Sequence, residues 1–491
     1  MIELKNVHFS YQEDRAESVS GINLQIKPGE FVLLCGRSGC GKTTITRLLN
    51  GLIPHFYEGT LHGEAFIDGK SIRDMKLHQL ARLVGSVFQD PRSQFFTVDT
   101  TSEIAFSCEN MGVPRAEMLR RLTNTVTAMK LEPLLERSLF KLSSGEKQKI
   151  AIASVHAAGP TVYVLDEPSA NLDHQATEEL RQALALLKSA GHTVIIAEHR
   201  LYYLKDLVDK VVYMEGGTVA AEYDRQSFLA MSDNERIDKG LRCIFPEKLP
   251  LQCSGKELAA PPACLQLEDA TFWYEGGPRI LDGLCLMAGQ GEIIGITGLN
   301  GAGKSTFAKI LCGLVSERQG KIRIGSGPTK AGERLKKSYF VMQDADYQLF
   351  TESVEEELGL GNERLPDLTE KVAETMETLG LSTFKSRHPA SLSGGQKQRV
   401  TIAVAIVKGA DILIFDEPTS GLDAENMRRV ASLLQQVAAQ GKTVFVITHD
   451  YEFIMHTCTR IVNLAGGRVG ADFFLNDNSL AELKKLFCFT G

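Results

Sequence analysis

The chain has 491 residues, of which 43% are hydrophobic and 23% charged, a balance typical of globular domains. Its formal net charge of −7 argues against a general nucleic-acid binder, which usually carries a basic patch. No uninterrupted apolar run approaches the roughly 18–20 residues that cross a bilayer, and the first residues lack the basic start and apolar run of a signal peptide. We therefore expect no direct membrane span.

Ten cysteines are scattered along the chain without CxxC pairs. This spacing indicates reduced thiols, as in a cytosolic protein. It points to no metal site built from cysteine.

A glycine-rich loop follows the first predicted central strand. Residues 1–35 alternate short apolar runs with turn signals, which predicts an antiparallel edge subdomain leading into that strand. GRSGCGKTT and a helical pattern come next, the order of a phosphate-binding loop. Its amides and the helix dipole would hold phosphates, with Lys42 as a point charge and the Thr43 hydroxyl on Mg²⁺. The loop comprises Gly36, Arg37, Ser38, Gly39, Cys40, Gly41, Lys42, Thr43 and Thr44. The alternative is a plain glycine turn that caps a helix.

Two single residues of the first half carry weaker signals. Tyr11 ends an alternating strand 31 residues before Lys42, so it either stacks on adenine or is an ordinary strand aromatic. Gln89 closes an apolar strand, where its amide would ligate Mg²⁺ and sense the γ-phosphate. Gln89 could equally be a surface turn residue, and the first half alone leaves both alternatives open.

LSSGEKQK at 142–149 opens a predicted helix, so Ser143, Gly145 and Glu146 lie at its positive end, where they would face an anion. The alternative is a serine N-cap. VYVLDEP then ends a strand in Asp166 and Glu167. Two adjacent carboxylates at the end of a buried strand are costly unless they bind a cation or a polarised water. TVIIAEH ends the next strand at His199.

The second half repeats these features in the same order. From the signature onwards the offset is a constant 250 residues, as between Glu167 and Glu417. The second set comprises Tyr274, the loop Gly298, Leu299, Asn300, Gly301, Ala302, Gly303, Lys304, Ser305 and Thr306, then Gln343, Ser393, Gly394, Gly395, Gln396, Asp416, Glu417 and His449. Tyr274 precedes Lys304 by 30 residues, which favours adenine stacking by both tyrosines. The repeat predicts two domains, 1–242 and 265–491, joined by a short proline-broken linker at 243–264.

Because the same six features occur in the same order in both halves, the chain resembles a tandem ATP-binding-cassette ATPase over nearly its whole length. The resemblance implies an α/β fold with two P-loop NTPase domains, each with a mixed central sheet, an antiparallel edge subdomain and a helical subdomain. It implies ATP hydrolysis with Mg²⁺, with Glu167 and Glu417 as general bases and His199 and His449 at the γ-phosphate. The implied Mg²⁺ ligands are Thr43, Gln89, Asp166, Ser305, Gln343 and Asp416.

In that family two cassettes close head to tail, within a chain or with another copy. LSGGQ at 392–396 would then cap the ATP on Lys42, and LSSGE at 142–146 the ATP on Lys304. The first signature has Ser144 and Glu146 where the second has Gly394 and Gln396. Ser144 would crowd the approach of the phosphate, and Glu146 would add negative charge. Because both sites keep the key residue types, we expect two competent sites, with the Lys304 site as the candidate for the slower one.

The stretch after each predicted Mg²⁺-binding glutamine indicates what the ATPase drives. QDPRSQFFTVDTTSEIAF and QDADYQLFTESVEEEL share a polar turn, a second glutamine (Gln94, Gln348), aromatics and an acidic helix start. By composition alone they could be two surface loops. In the family this region receives coupling helices of membrane subunits. The Q-D-x-x-x-Q-x-F form, with NGLIPHFYEG at 50–59, resembles energy-coupling-factor importers.

That resemblance implies a peripheral motor on the cytoplasmic side of the cell membrane. Its partners would be a transmembrane scaffold subunit and a substrate-binding membrane subunit, and its cargo a vitamin or a transition-metal ion. Two alternatives stay open. A soluble tandem cassette acting on ribosomes or nucleic acid is disfavoured by the short linker and the negative charge, and an exporter motor fits the loops less well.

Overall fold

The computed structural model describes residues 1–12, 17–253, 263–325, 327–343, 345–363, 365–392 and 394–489. Ser393, a predicted signature residue, lies outside the described residues. The chain forms two compact units, Met1–Phe245 with Asp423–Glu425 and Pro246–Leu422 with Asn426–Gly491.

The first unit combines two sheets with helices. Its strands are β1 (Ile2–Tyr11), β2 (Val19–Ile26), β3 (Phe31–Gly36), β4 (Gly59–Ile67), β5 (Lys70–Ser71), β6 (Val84–Val87), β7 (Val162–Asp166), β8 (Thr193–Ala197), β9 (Lys210–Glu215) and β10 (Thr218–Asp224). Its helices are α1 (Lys42–Leu49), α2 (Leu52–His55), α3 (Leu77–Leu80), α4 (Thr100–Asn110), α5 (Arg115–Met129), α6 (Ser144–Ala158), α7 (His174–Ser189), α8 (Arg225–Leu229) and α9 (Asp233–Asp238).

The central sheet of the first unit has the order β10-β9-β3-β8-β7-β6, and β1, β2, β4 and β5 form the antiparallel edge sheet. The five neighbouring strands β9, β3, β8, β7 and β6 pair in parallel, and β10 is antiparallel to β9. Every residue of β3 and β8 is buried, as expected for parallel strands covered on both faces. Helices α4, α5 and α6 pack around a separate core that includes Ile104, Val126 and Ile150.

The second unit repeats this architecture. Its strands are β11 (Ala263–Trp273), β12 (Arg279–Gly289), β13 (Ile293–Thr297), β14 (Gln319–Ile324), β15 (Ser338–Val341), β16 (Ile412–Asp416), β17 (Thr443–Ile447), β18 (Arg460–Ala465) and β19 (Arg468–Phe474). Its helices are α10 (Lys304–Leu311), α11 (Ala331–Lys337), α12 (Val354–Gly359), α13 (Leu368–Thr378), α14 (Gly394–Lys408), α15 (Ala424–Ala439), α16 (Tyr451–Thr457) and α17 (Leu480–Leu486). The central order is β15-β16-β17-β13-β18-β19, and β12-β11-β14 forms the edge sheet.

The parallel strands bring the predicted motifs to one edge of each sheet. In the first unit, the glycine-rich loop follows β3, Asp166 ends β7, and His199 and Gln89 come two residues after β8 and β6. In the second unit the loop follows β13, Asp416 ends β16, and His449 and Gln343 come two residues after β17 and β15. Carboxyl ends of parallel strands meet at the same edge, where ligands of open α/β sheets bind. The predicted α/β fold, with an edge sheet and a helical subdomain in each half, is confirmed.

Within the described ranges, no helix is both long and apolar enough to cross a membrane. All ten cysteines are free thiols.

Candidate active sites

Each glycine-rich loop encloses its lysine. The buried Lys42 ammonium donates hydrogen bonds to the carbonyl oxygens of Gly36 (3.0 Å) and Arg37 (3.1 Å). Lys304 repeats this with the first two residues of its own loop, at 2.7 and 3.1 Å. Helices α1 and α10 start at glycines with φ of 99° and 97°, and neither start has a side-chain cap. An uncapped helix N-terminus beside a buried ammonium is a site for phosphate.

A hydroxyl and an aspartate lie together beside each loop. The Thr43 hydroxyl donates to Asp166 Oδ1 at 3.3 Å, and the Ser305 hydroxyl donates to Asp416 Oδ2 at 3.1 Å. Burial, and then the neighbouring Glu167 charge, raise the pKa of Asp166 to about 6, and burial also raises the pKa of Asp416. A cation at either place would favour the charged carboxylate. These oxygen donors fit Mg²⁺, which usually takes one or two carboxylates together with phosphate oxygens and water.

The second carboxylate of each pair contacts a histidine. Glu167 Oε1 lies 3.3 Å from His199 Nε2, and Glu417 Oε1 lies 3.5 Å from His449 Nε2. Burial favours the neutral carboxyl of Glu167, but the charge and hydrogen bond of His199 outweigh it and lower the pKa. Glu167 therefore remains a carboxylate that can accept a proton.

Both glutamates adopt a backbone conformation that is rare for residues with a side chain. Their φ angles are 43° and 49°, and each N–H donates at 2.8 Å to a carbonyl of the neighbouring strand, on Ala197 or Ile447. Such φ values are uncommon outside glycine and cluster at functional sites. The conformation recurs in both units, which supports a shared role for Glu167 and Glu417.

The structure brings Gln89 to the same carboxylate. Its amide Nε2 donates to Glu167 Oε2 at 3.0 Å. Gln343 occupies the equivalent position two residues after β15, with an exposed side chain.

The first signature segment forms a capping box at the start of α6. The Ser143 hydroxyl accepts from the Glu146 N–H at 3.3 Å, and the Glu146 carboxylate accepts from the Ser143 N–H at 2.8 Å. Glu146 also pairs with Arg137 at 3.0 Å. Burial raises the pKa of Glu146, but the Ser143 bonds and Arg137 together lower it. The negative charge of Glu146 is therefore partnered within its own helical subdomain.

The glycines of the two signatures differ in their surroundings. A Cβ on Gly145 would lie 2.6 Å from Cβ of Ala176 in α7, so this glycine is required by helix packing. A Cβ on Gly394 would meet nothing within 4 Å, and one on Gly395 would come no closer than 3.8 Å to Asn426. Gln396 is half-buried in the first turn of α14.

The predicted adenine-stacking tyrosines lie beside the helices that carry the lysines. The Tyr11 hydroxyl accepts a hydrogen bond from Arg47 at 2.9 Å and lies 3.4 Å from the Thr44 hydroxyl. Arg47 lies five residues after Lys42 in α1 and was not singled out by motif. Tyr274 is 45% exposed, with its ring edge-on to Phe272 at 5.0 Å.

A family model for the ABC transporter matches residues 19–170 and 281–420, more than half of the chain. The chain belongs to the ABC transporter family. A Treponema denticola protein, provisionally named an ABC transporter ATP-binding protein, is 45% identical over 96% of this chain and 96% of its own length. A similarly named Methanosarcina mazei protein is 31% identical over 98% of this chain and 91% of its own length. The structure "Model of ribosome-bound archaeal Pelota and ABCE1" aligns with a TM-score of 0.70 and 23% identity over 98% of this chain and 80% of that one, which shows the fold alone.

The two matched segments are ABC cassettes, so this ABC protein is an ATPase with a tandem repeat of the ATP-binding domain. Each matched segment contains a glycine-rich loop and, at or near its end, the carboxylate pair. The two sites described above are therefore the candidate ATP sites of the two cassettes.

Both cassettes hold the segment after the glutamine in the same way. We name residues 94–97 and 348–351 the first and second QxFT segments. The Gln94 side chain accepts from the Phe88 N–H (3.3 Å) and donates to the Ser86 carbonyl (3.1 Å). Gln348 makes both bonds at 2.7 Å in the second cassette, to Met342 and Phe340. The second glutamine thus fastens the segment to the strand end that carries Gln89 or Gln343.

A buried glutamate fastens the other end of each QxFT segment. Glu103 Oε2 accepts from the N–H groups of Phe96 (3.1 Å) and Thr97 (2.9 Å) and from the Thr97 hydroxyl (2.9 Å). Glu357 makes the same three bonds to the second segment, at 2.8, 2.9 and 2.9 Å. Sequence reasoning missed this role, although the glutamates stand at matching places in the acidic helix starts. The result is a fixed backbone with an outward phenylalanine.

Proposed function

We propose that this ABC ATPase is the motor subunit of a membrane importer similar to the energy-coupling-factor type. It would couple ATP binding and hydrolysis to uptake of a vitamin-like small molecule or a metal ion. A transmembrane scaffold subunit and a substrate-binding membrane subunit would be its partners, at the cytoplasmic side of the cell membrane.

The observation that carries this proposal is the pair of exposed phenylalanines on the QxFT segments. Phe96 is 73% exposed and Phe350 is 75% exposed, although the backbone of both is fixed by Glu103 and Glu357. A rigid backbone that presents a large apolar side chain to solvent is typical of a binding surface.

The first cassette extends its exposed apolar group. The rings of Phe96 and Phe106 stack at 4.9 Å, and Phe140 is 78% exposed. A backbone hydrogen bond of 3.0 Å from Leu139 to the Val98 carbonyl brings the segment of Phe140 beside the exposed Val98. The second cassette has Glu352 and Ala390 at the places of Val98 and Phe140. The second cassette instead exposes Tyr347 (67%), three residues before Phe350, so both cassettes present a second exposed apolar side chain close in sequence to the QxFT phenylalanine.

The ATP site is linked to this surface through a few hydrogen bonds. Gln89 contacts the catalytic candidate Glu167, and Gln94 bonds to the N–H of Phe88, the residue before Gln89. A shift of Gln89 on nucleotide binding would reach the first QxFT segment through this connection. This is the route by which we propose that ATP occupancy is felt by the membrane subunits.

Each site has the groups that ATP hydrolysis requires. In the first cassette, the loop and Lys42 would bind the β- and γ-phosphates, and Glu167 would accept a proton from the water that attacks the γ-phosphorus. His199 would hold Glu167 in position and approach the γ-phosphate. Mg²⁺, held by Thr43, Asp166 and Gln89, would neutralise phosphate charge when bound.

The second cassette offers the same set, with Lys304, Glu417, His449 and the Mg²⁺ ligands Ser305, Gln343 and Asp416. By resemblance to the family, we include in the proposal that the signature at 392–396 completes the site of Lys42. The signature at 142–146 would complete the site of Lys304.

Co-purification from detergent-solubilised membranes of the source organism tests the importer proposal. The tagged chain should recover integral membrane proteins, and the double variant Phe96→Ala/Phe350→Ala should lose them. Leu119→Ala, at a 50% exposed position on α5, is the matched control and should keep them. Recovery with ribosomes and no membrane protein would replace the importer by the ribosomal alternative.

A further inference from the structure

Three side chains of the first cassette form a cluster around Tyr11. Arg47 donates to the Tyr11 hydroxyl at 2.9 Å, and its guanidinium lies over the Tyr57 ring, 4.1 Å from the centroid. The Tyr11 and Tyr57 rings meet edge to face at 5.9 Å, and Phe9 contacts Tyr11 in the same way at 4.8 Å. We name Tyr11, Arg47 and Tyr57 the tyrosine cluster.

The tyrosine cluster limits the rotation of Tyr11. An aromatic side chain that is free in the empty protein must lose rotamer freedom when a ligand stacks on it. A guanidinium that bonds to the hydroxyl and packs on a second ring removes that freedom before binding. Tyr11 is thus pre-organised at the end of β1, within hydrogen-bond distance of α1.

In the part of the second cassette that the structure describes, these contacts are absent. Lys309 stands five residues after Lys304, as Arg47 does after Lys42, and the stretch equivalent to Tyr57 reads SERQ at 316–319. Among the described residues, the Tyr274 hydroxyl has no hydrogen-bond partner, and Arg318 lies over the ring of Trp273 instead, at 6.0 Å. Tyr274 is accordingly the more exposed of the two tyrosines.

We propose that Arg47, supported by Tyr57, is a positioning residue that holds Tyr11 against the nucleobase. The site of Lys42 would then bind adenine nucleotides more tightly than the site of Lys304. This inference rests on the proposed adenine contact of Tyr11, and it is independent of the importer role. It predicts that the two sites differ in how tightly they bind the nucleobase, which is separate from the difference between the two signatures.

Arg47 has a second neighbour that the test must separate. Its charge also acts on Asp166, the candidate Mg²⁺ ligand, so loss of Arg47 could weaken binding of the phosphates and the metal ion. Inorganic tripolyphosphate has the phosphate chain of ATP without base and ribose. Comparing it with ATP isolates the contribution of the nucleoside, which contains the base that Tyr11 would contact.

The experiment is calorimetric titration of the full chain with Mg-ATP and with Mg-tripolyphosphate. In a Lys304→Ala background, which leaves the first site to bind, Arg47→Met should weaken ATP binding about five- to tenfold, because Tyr11 must then lose its rotamer freedom on binding and that cost corresponds to about this factor. Tripolyphosphate affinity should stay within about twofold, which also shows that the loop is folded. Arg47→Lys, which keeps a donor for Tyr11, should recover part of the loss.

The mirror experiment uses the second site. In a Lys42→Ala background, Lys309→Met should leave the ratio of ATP to tripolyphosphate affinity unchanged. If Lys309→Met lowers the ratio of ATP to tripolyphosphate affinity as far as Arg47→Met does, the proposed difference between the two sites is overturned. Equal losses of ATP and tripolyphosphate binding in Arg47→Met would assign Arg47 to the phosphates and overturn the inference.

Tyr11→Ala separates the inference from its foundation. If Tyr11→Ala weakens ATP binding but Arg47→Met does not, the adenine contact stands and the positioning role of Arg47 is refuted. If Tyr11→Ala leaves ATP binding unchanged, the adenine contact itself is refuted and the inference fails with it.

Discussion

Replacing Glu103 by glutamine should loosen the first QxFT segment without unfolding the cassette. The Glu103 side chain is buried and accepts three hydrogen bonds, from the N–H groups of Phe96 and Thr97 and from the Thr97 hydroxyl. All three bonds end on one oxygen, Oε2, which a glutamine can still supply as a neutral acceptor, so the substitution removes the negative charge while it keeps an acceptor in place.

The size of the effect follows from those contacts. Hydrogen bonds to a charged acceptor contribute about 1.5–3 kcal/mol each and those to a neutral acceptor about 0.5–1.5 kcal/mol, so each of the three bonds should weaken by about 1 kcal/mol. We therefore expect the free energy of local opening to fall by about 3 kcal/mol, which raises hydrogen exchange of the segment on the order of 100-fold.

Hydrogen–deuterium exchange of peptides that cover residues 94–103 measures this. Glu357→Gln should raise exchange at 348–357 and leave the first segment unchanged, and Glu109→Gln, an exposed position on α4, is the silent control. Unaltered protection of residues 96–97 in Glu103→Gln would refute the fastening role that the geometry assigns to this carboxylate.

Three further predictions concern the ATP sites. Glu167→Gln and Glu417→Gln should each slow phosphate release at their own site by about 10²–10⁴-fold, and full activity in either variant would show that its site is silent. Because the pKa of Asp166 is raised to about 6, the nucleotide-free protein takes up a proton on folding between about pH 4 and 6 and loses stability as the pH rises through that window. Asp166→Asn should therefore raise the thermal midpoint at pH 7.5 but not at pH 4. A difference in midpoint between variant and wild type that is the same at both pH values would contradict the raised pKa of Asp166. Gly145→Ala should lower stability by about 1–3 kcal/mol in thermal unfolding, whereas Gly394→Ala should not, because only the first Cβ meets a neighbouring helix.

Much of each site was predictable because its motifs have a local geometry. A glycine-rich loop between a buried strand and a helix can be read from residue types alone, and so can the ends of parallel strands. The structure accordingly gathers the Lys42 loop, Asp166, Glu167, His199 and Gln89 at one edge of a sheet. The repeat added the second set without further assumptions.

Other features depended on contacts that no spacing rule describes. Gly145 looked like a phosphate-binding glycine, yet its lack of a Cβ is explained by the approach of Ala176, 31 residues later in the chain. The expectation that Glu146 adds charge near a phosphate stays a prediction, and the structure adds the capping box and Arg137 as partners of that charge. The S-x-x-E pattern at 143–146 was the available signal, since it is typical of a capping box.

The roles of Glu103 and Arg47 were also missed, for a different reason. Each lies in a helix with one other charged residue, and an exposed position is the ordinary expectation for a charged side chain. Their importance comes from what they fasten, a backbone segment and a tyrosine ring. Comparison of the two halves offered a signal for Glu103, because Glu357 stands at the matching distance from its own QxFT segment.

Photo-crosslinking from position 96 tests most directly whether the first QxFT segment docks on a membrane subunit. A photoreactive phenylalanine at position 96, or at 350 in the second cassette, should form ultraviolet-dependent adducts with an integral membrane protein in intact membranes. The same group at Leu119 should form none. Adducts from position 96 confined to ribosomal proteins would contradict the importer motor and favour the ribosomal alternative.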